Sequence, residues 1–99
     1  MERGGCVYIM TNQHHTTLYT GVTANLVARV QEHRNRKYPK SFTARYNLTK
    51  LVFYEAYPRI EEAIQREKQI KGGSRKKKEK LIHQHNPDWR DLWEEVSKW

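Results

Sequence analysis

Residues 50–57, KLVFYEAY, carry the strongest strand signal in the chain: β-branched and aromatic side chains in a row, followed at once by Pro58. A strand needs partners for its backbone groups, and two shorter runs offer them. CVYIM (6–10) and TLYTG (17–21) flank a polar stretch and read as a hairpin with a loop of about four residues. If Thr11 faces Thr16, Ile9 pairs with Leu18 and Tyr8 with Tyr19. Both phenols then share one face, and Val7, Ile9 and Leu18 share the other. Helical patterns fill most of the rest. Thr23 or Asn25 can cap a helix through Leu26, Val27 and Val30 to about Arg34. Residues 35–47 read as irregular or briefly helical. A helix from Arg59 to about Lys71 stops at Gly72-Gly73, and Ser74 caps another to about His85. Beyond Pro87, Trp89, Leu92, Trp93 and Val96 recur at the spacing of an amphipathic closing helix. The expected fold is α/β of the α+β kind: a three-stranded, mainly antiparallel sheet flanked by helices. Residues 1–99 are expected to form a single domain, with the helices of 74–99 packed on its core.

Charge narrows the class of partner. The 99 residues hold 19 Lys+Arg against 11 Asp+Glu, a formal net charge of +8, which favours a polyanion. Residues 66–80 (REKQIKGGSRKKKEK) carry eight basic and two acidic side chains, among them Lys71, Arg75, Lys76, Lys77 and Lys78. Residues 34–46 (RNRKYPKSFTARY) set Arg34, Arg36, Lys37, Lys40 and Arg45 among Tyr38, Phe42 and Tyr46, with no acid. Cations interleaved with aromatics suit a phosphate backbone and exposed bases. An isolated RKKK run is as readily a solvated helix face; two such segments in one small chain favour nucleic acid. Residues 1–5 (MERGG) lack an apolar signal core and no apolar run approaches membrane-spanning length, so the expectation is a cytoplasmic protein, without membrane association and free to sit at the nucleoid. One cysteine, Cys6, rules out an internal disulfide. His14-His15 and the His83/His85 pair lack the spacing of a zinc site.

Polar residues can be placed on these elements. Arg29 and His33 stand four apart on one helix face, next to the Leu26–Val30 stripe and just beyond the strand carrying Tyr19. In the 59–71 helix, Ile60, Ala63, Ile64 and Ile70 mark the core-facing stripe, and Glu67 falls inside it. A carboxylate there is costly unless paired, protonated or bound to a metal. A buried ion pair with Arg29, or a helix rotated to expose Glu67, answers the pattern equally well.

Taken in order, these residues resemble the motifs of the GIY-YIG nuclease superfamily, above all its small stand-alone, URI-domain-like members. The first motif stands as Cys6-Val7-Tyr8, its glycine replaced, and the second as Tyr19-Thr20-Gly21. The family's helix arginine falls on Arg29, its following His or Tyr on His33, and its metal helix on EEAIQREKQIKG with Glu67 as ligand. Asn86, in NPDW, is similar to a late asparagine of the site. Val22 stands where some members place a lysine, so that lysine's proton-handling role must be absent here or pass to another group, with His33 the candidate.

The resemblance implies hydrolysis of a DNA phosphodiester with Mg²⁺ (or Mn²⁺) held by Glu67, on branched or damaged DNA as candidate substrates. It implies Tyr19 as the base for the attacking water, Arg29 on the scissile phosphate, Tyr8 bonded to water or phosphate, and His33 orienting groups or moving a proton. A phenol ionises near pH 10 in water, so a base role needs cations nearby. A domain this small is expected to draw targeting from a protein partner. Two rivals keep the basic surface without turnover: an inactive or weak nucleic-acid-binding module, and an RNA- or ribosome-associated protein.

Overall fold

Three antiparallel strands lie in the order β2-β1-β3, with β1 at Gly5–Thr11, β2 at Leu18–Thr23 and β3 at Lys50–Tyr57. The computed structural model describes residues 4–99, so part of the MERGG stretch lies outside them. Among the described residues there are five helices: α1 Leu26–Arg34, α2 Phe42–Arg45, α3 Ile60–Lys71, α4 Arg75–His85 and α5 Trp93–Val96. The expected sheet and flanking helices are thus borne out. The caps follow side-chain chemistry: Asn25 accepts from the Ala28 amide, Ser41 from Ala44 and Ser74 from Lys77.

The hairpin register departs from expectation by two residues. Thr11 pairs with Leu18, Met10 with Tyr19 and Tyr8 with Gly21. The cause lies in the loop, which Asn12 closes from within. Its Oδ1 accepts from the Thr16 amide at 2.8 Å, its Nδ2 donates to Thr16 Oγ1 at 2.6 Å, and His15 adopts a left-handed φ of 57°. The residues expected to extend the ladder are therefore spent on the turn. Because the pleat repeats every two residues, a slip of two leaves each side chain on its intended face. Tyr8 and Tyr19 still share one.

The two faces of the sheet bury separate clusters. Tyr8, Met10 and Leu51 pack with Leu26 and Val30 of α1, Leu48, and Leu92 and Val96 of the tail. Val7, Ile9, Val52 and Phe53 pack with Ile70 of α3 and Ile82 of α4. A bulge between Ile9 and Met10 matches Ile9 to Phe53 and Met10 to Leu51, leaving Val52 unpaired with β1. Asn86 makes good the loss. Its amide donates to the Val52 carbonyl at 3.1 Å and the Arg90 carbonyl at 2.8 Å, and its oxygen accepts from the Arg90 amide.

The tail corrects a second expectation. Only Trp93–Val96 is helical; Trp89 takes a left-handed φ of 52° and stacks on His15 at 4.7 Å. Asp91 explains the break. Its carboxylate accepts from the amides of Leu51 and Trp93 and from Arg34 Nη1 at 2.6 Å, while the Leu92 amide donates to the Leu51 carbonyl at 2.7 Å. The tail therefore fastens onto the outer side of β3. No helix among the described residues is long and apolar enough to cross a membrane.

Candidate active site

Tyr8 projects from β1 toward α1 and is almost wholly enclosed, at 1% exposure. Its ring lies over Gly21, across the hairpin: a Cβ on Gly21 would come within 2.5 Å of both Tyr8 Cζ and the hydroxyl oxygen. Gly21 supplies room for the ring, and no described glycine has a positive φ. The enclosed ring has nowhere to retreat, so Gly21→Ala is expected to cost about 1–3 kcal/mol. That would lower the melting temperature by about 4–8 °C for each kcal/mol. A scan showing no change would disprove the fit.

At the last turn of α1, His33 is buried and bridges two elements. Nε2 lies 2.9 Å from the Tyr8 hydroxyl and Nδ1 2.9 Å from Thr43 Oγ1 in α2. Burial, with the Arg29 charge adding to it and Glu32 opposing it, pushes the His33 pKa down to about 4. The imidazole is neutral at pH 7 and serves as a hydrogen-bonding strut. Between pH 6.5 and 4 the unfolded chain binds a proton that the folded chain excludes. His33's contribution to stability is therefore whole above about pH 6.5 and falls as the solution is acidified toward 4. Urea midpoints measured between those limits should fall, and His33→Gln should flatten the fall; an unchanged slope in the variant would refute the assignment.

Tyr19 is half-buried, less enclosed than Tyr8. Its ring centroid lies 6.3 Å from Tyr8, 5.7 Å from His33 and 6.2 Å from the exposed Phe42. With Leu18, Thr20, Phe42, Lys71 and Lys78 it lines an open cleft of about 400 Å³. Thr20 Oγ1 is buried there without a partner among the described residues, which leaves a polar need at the cleft wall. Tyr8, by contrast, has its pKa pushed up to about 12, by burial first and the Tyr19 phenol next, with Arg29 pulling the other way. It stays a phenol at neutral pH. The expectation that Tyr8 reaches water or phosphate directly is corrected, because its hydroxyl is enclosed and bonded to His33.

Arg29 does not pair with Glu67. Its Nη1 donates to Glu32 on its own helix at 3.0 Å, and the guanidinium stands 5.9 Å from the Tyr38 ring. Burial works against its charge, but the Glu32 carboxylate and the Tyr8 hydroxyl more than offset this, so its pKa is raised. Glu67 pairs instead with Lys71 Nζ at 3.1 Å, its own side chain 14% exposed. The α3 stripe is turned from the expected one: Ala63 and Ile70 are buried while Ile64 faces outward. Lys71 is the link between the acid and the phenol, since it lines the Tyr19 cleft and holds the Glu67 carboxylate.

Among the described residues, no cluster of three or more His, Cys, Asp or Glu could hold a metal. A single hard carboxylate oxygen donor does not fit zinc. It fits Mg²⁺ or Mn²⁺, which retain waters and take the rest of their shell from a phosphate. Asn86 joins neither the phenols nor the acid through its hydrogen bonds; it is the staple at the β3 bulge.

The basic residues divide by task. Arg34 is tied to Asp91 and the Thr49 carbonyl, and Arg75 donates to the carbonyls of His15 and Thr16, bracing the hairpin loop. Lys37 pairs with Glu32, Arg36 donates to Asn47 and Lys78 to the Gly73 carbonyl. Lys40, Arg45, Lys76 and Lys77 stand exposed, with no ion pair among the described residues. Tyr38, Phe42 and Tyr46 are about half exposed, and Phe42 and Tyr46 lie 4.7 Å apart, extending an aromatic strip outward from Tyr19. Sequence reasoning passed over Thr43, which meets His33 ten residues away in the chain. Ser41 as a cap was the available signal.

A profile of the GIY-YIG catalytic domain matches residues 4–80. A UPF0213 protein of Syntrophus aciditrophicus is 43% identical over 72 residues, 73% of this chain and 82% of that protein. The UPF0213 protein NP_0776A of Natronomonas pharaonis is 42% identical over 69 residues, 67% of this chain and 76% of that one. The solution NMR structure of the UPF0213 protein BH0048 from Bacillus halodurans is similar with a TM-score of 0.56 at 30% identity, over 90% of this chain and 93% of that one.

Proposed function

The chain belongs to the GIY-YIG family, a family of nucleases, and from that premise we propose that it is a metal-dependent endonuclease or nickase of DNA, with branched or damaged DNA as candidate substrates. The observation that carries the reading is the open cleft that Tyr19 lines together with Lys71 and Lys78, with Lys71 paired to Glu67. Tyr19 takes the proton of the attacking water as the water oxygen bonds to phosphorus and the bond to the 3′-oxygen breaks. A phenol serves as base only with cations nearby, and the two lysines bring positive charge to the cleft from α3 and α4. They occupy the role left open by Val22, which buried, neutral His33 does not fill. Arg29 grips a non-bridging phosphate oxygen, its fork suited to an anion. Glu67 would hold Mg²⁺ or Mn²⁺, which when bound supplies Lewis-acid charge relief and a more acidic water. Lys71 must release Glu67 for this.

Along the aromatic strip, Phe42, Tyr46 and Tyr38 offer faces to bases, and Lys40 and Arg45 offer charge to flanking phosphates. A protein partner would supply targeting. The rival reading, a binding module without turnover, draws on the Glu67–Lys71 ion pair, which already satisfies the carboxylate.

Plasmid and branched DNA incubated with the chain and Mg²⁺ or Mn²⁺ decide between them. Nicking that stops on chelation supports the nuclease; retention of DNA without cutting under any divalent ion supports the module. Binding is expected to weaken steeply with salt as counterions are released. An affinity indifferent to salt would remove nucleic acid as the partner.

A further inference from the structure

Thr43 hydrogen-bonds neither Tyr19 nor Glu67, yet it is a link in a chain of hydrogen bonds that begins at the site. The links run from the Tyr8 hydroxyl to His33 Nε2 at 2.9 Å, from His33 Nδ1 to Thr43 Oγ1 at 2.9 Å, and from Thr43 Oγ1 to Ser41 Oγ at 3.2 Å. Tyr8, His33 and Thr43 are 1%, 6% and 3% exposed, while Ser41 is half-buried. The chain therefore runs through the protein interior and reaches the surface only at its far end.

We propose that Thr43 is a positioning residue: by accepting from His33 it fixes the imidazole with its hydrogen on Nδ1, and so sets the orientation of Tyr8 beside Arg29. The direction follows from an inventory of donors and acceptors. A guanidinium offers donors only, so Arg29 cannot accept the phenol's hydrogen. Enclosure denies that hydrogen to water. His33 Nε2 is the acceptor Tyr8 has among the described residues, so Nε2 must be bare. A neutral imidazole then carries its hydrogen on Nδ1, directed at Thr43 Oγ1. Thr43 passes its own hydrogen to Ser41 Oγ, which also accepts from the Ala44 amide at 3.3 Å, and Ser41 turns its hydrogen outward. Every hydroxyl and ring nitrogen is satisfied in this one direction.

The consequence reaches the cleft. With its hydrogen held by His33, the Tyr8 oxygen keeps its lone pairs free, and that hydroxyl supports the Arg29 charge. That benefit rests on the nuclease reading, in which Arg29 grips the phosphate; the tautomer itself does not.

The test is long-range ¹H–¹⁵N correlation of the imidazoles in the ¹⁵N-labelled full chain without DNA, on the native protein, Thr43→Val and Thr43→Ser, each with its melting temperature. The native chain should show His33 with hydrogen on Nδ1 alone. Thr43→Val should mix the tautomers and slow DNA cleavage by about 10–100-fold, the scale on which losing the outer partner of an oriented histidine is felt in metal sites. Thr43→Ser, which keeps the hydroxyl, should restore both. A native His33 protonated on Nε2 or mixed overturns the proposal, as does a Thr43→Val protein with an unchanged tautomer, or a serine variant as impaired as the valine one. Should Thr43→Val not fold, the native tautomer and the serine variant still decide. A native protein with the expected tautomer and no cleavage counts against the nuclease and leaves the inference standing.

Discussion

Tyr19→Phe is expected to slow cleavage by about 10²–10⁴-fold, the range a well-placed general base contributes, with DNA binding and fold unchanged. The substitution removes one oxygen from a ring whose packing is otherwise kept. Its neighbours Tyr8, His33 and Phe42 contact it through ring faces and edges, and none of the chain's hydrogen bonds ends on the Tyr19 hydroxyl among the described residues. Stability should hardly move, which separates loss of chemistry from loss of structure. The comparison with Tyr8→Phe is informative. Tyr8 bonds His33 from an enclosed position, so its loss should lower stability as well as rate. Single-turnover cleavage, with calorimetry on the same samples, checks both. Equal activity in Tyr19→Phe and the native chain would assign the cutting to another site or to a contaminant.

Glu67→Gln is expected to cost about 10²–10⁴-fold in cleavage, since a bound ion contributes several kcal/mol to the transition state. A second signature does not depend on turnover. Mn²⁺ added to the native chain should raise its melting temperature, because an ion that binds the folded state stabilises it, and the variant should lose that response. The amide keeps the side chain's shape and forfeits the charge that Lys71 now neutralises. Lys71 is half exposed and the amide can still accept from its ammonium, so the variant should fold. It should also bind DNA at least as well, with Lys71 freed toward the cleft. A variant that cuts normally and still responds to Mn²⁺ would place the ion elsewhere.

Much of the fold was legible because its signals are local. The β3 run, the Asn25 and Ser74 caps and the helix stop at Gly72 each depend on a few adjacent side chains. Parity was legible too, as Tyr8 and Tyr19 share a face in either register. The register itself was not, because Asn12 folds its side chain into the turn and consumes residues that look like strand. Asp91 defeated the helical spacing of the tail in the same way, by bonding the Leu51 and Trp93 amides. At the site, Tyr8, Tyr19 and His33 come together as the pattern and the resemblance suggest. The pairing of Glu67 with its own helix neighbour, the arrival of Lys71 and Lys78 beside Tyr19, and the reach of Thr43 to His33 are tertiary facts. No period along the chain encodes them.

Docking the tail on the outer strand also governs how copies of this chain meet. A bare sheet margin is a template on which another molecule can add a strand. At Leu51 that template is already taken, amide by Asp91 and carbonyl by Leu92. A second copy adding a strand at this point of β3 would first have to peel the tail away, so edge-to-edge pairing is blocked there.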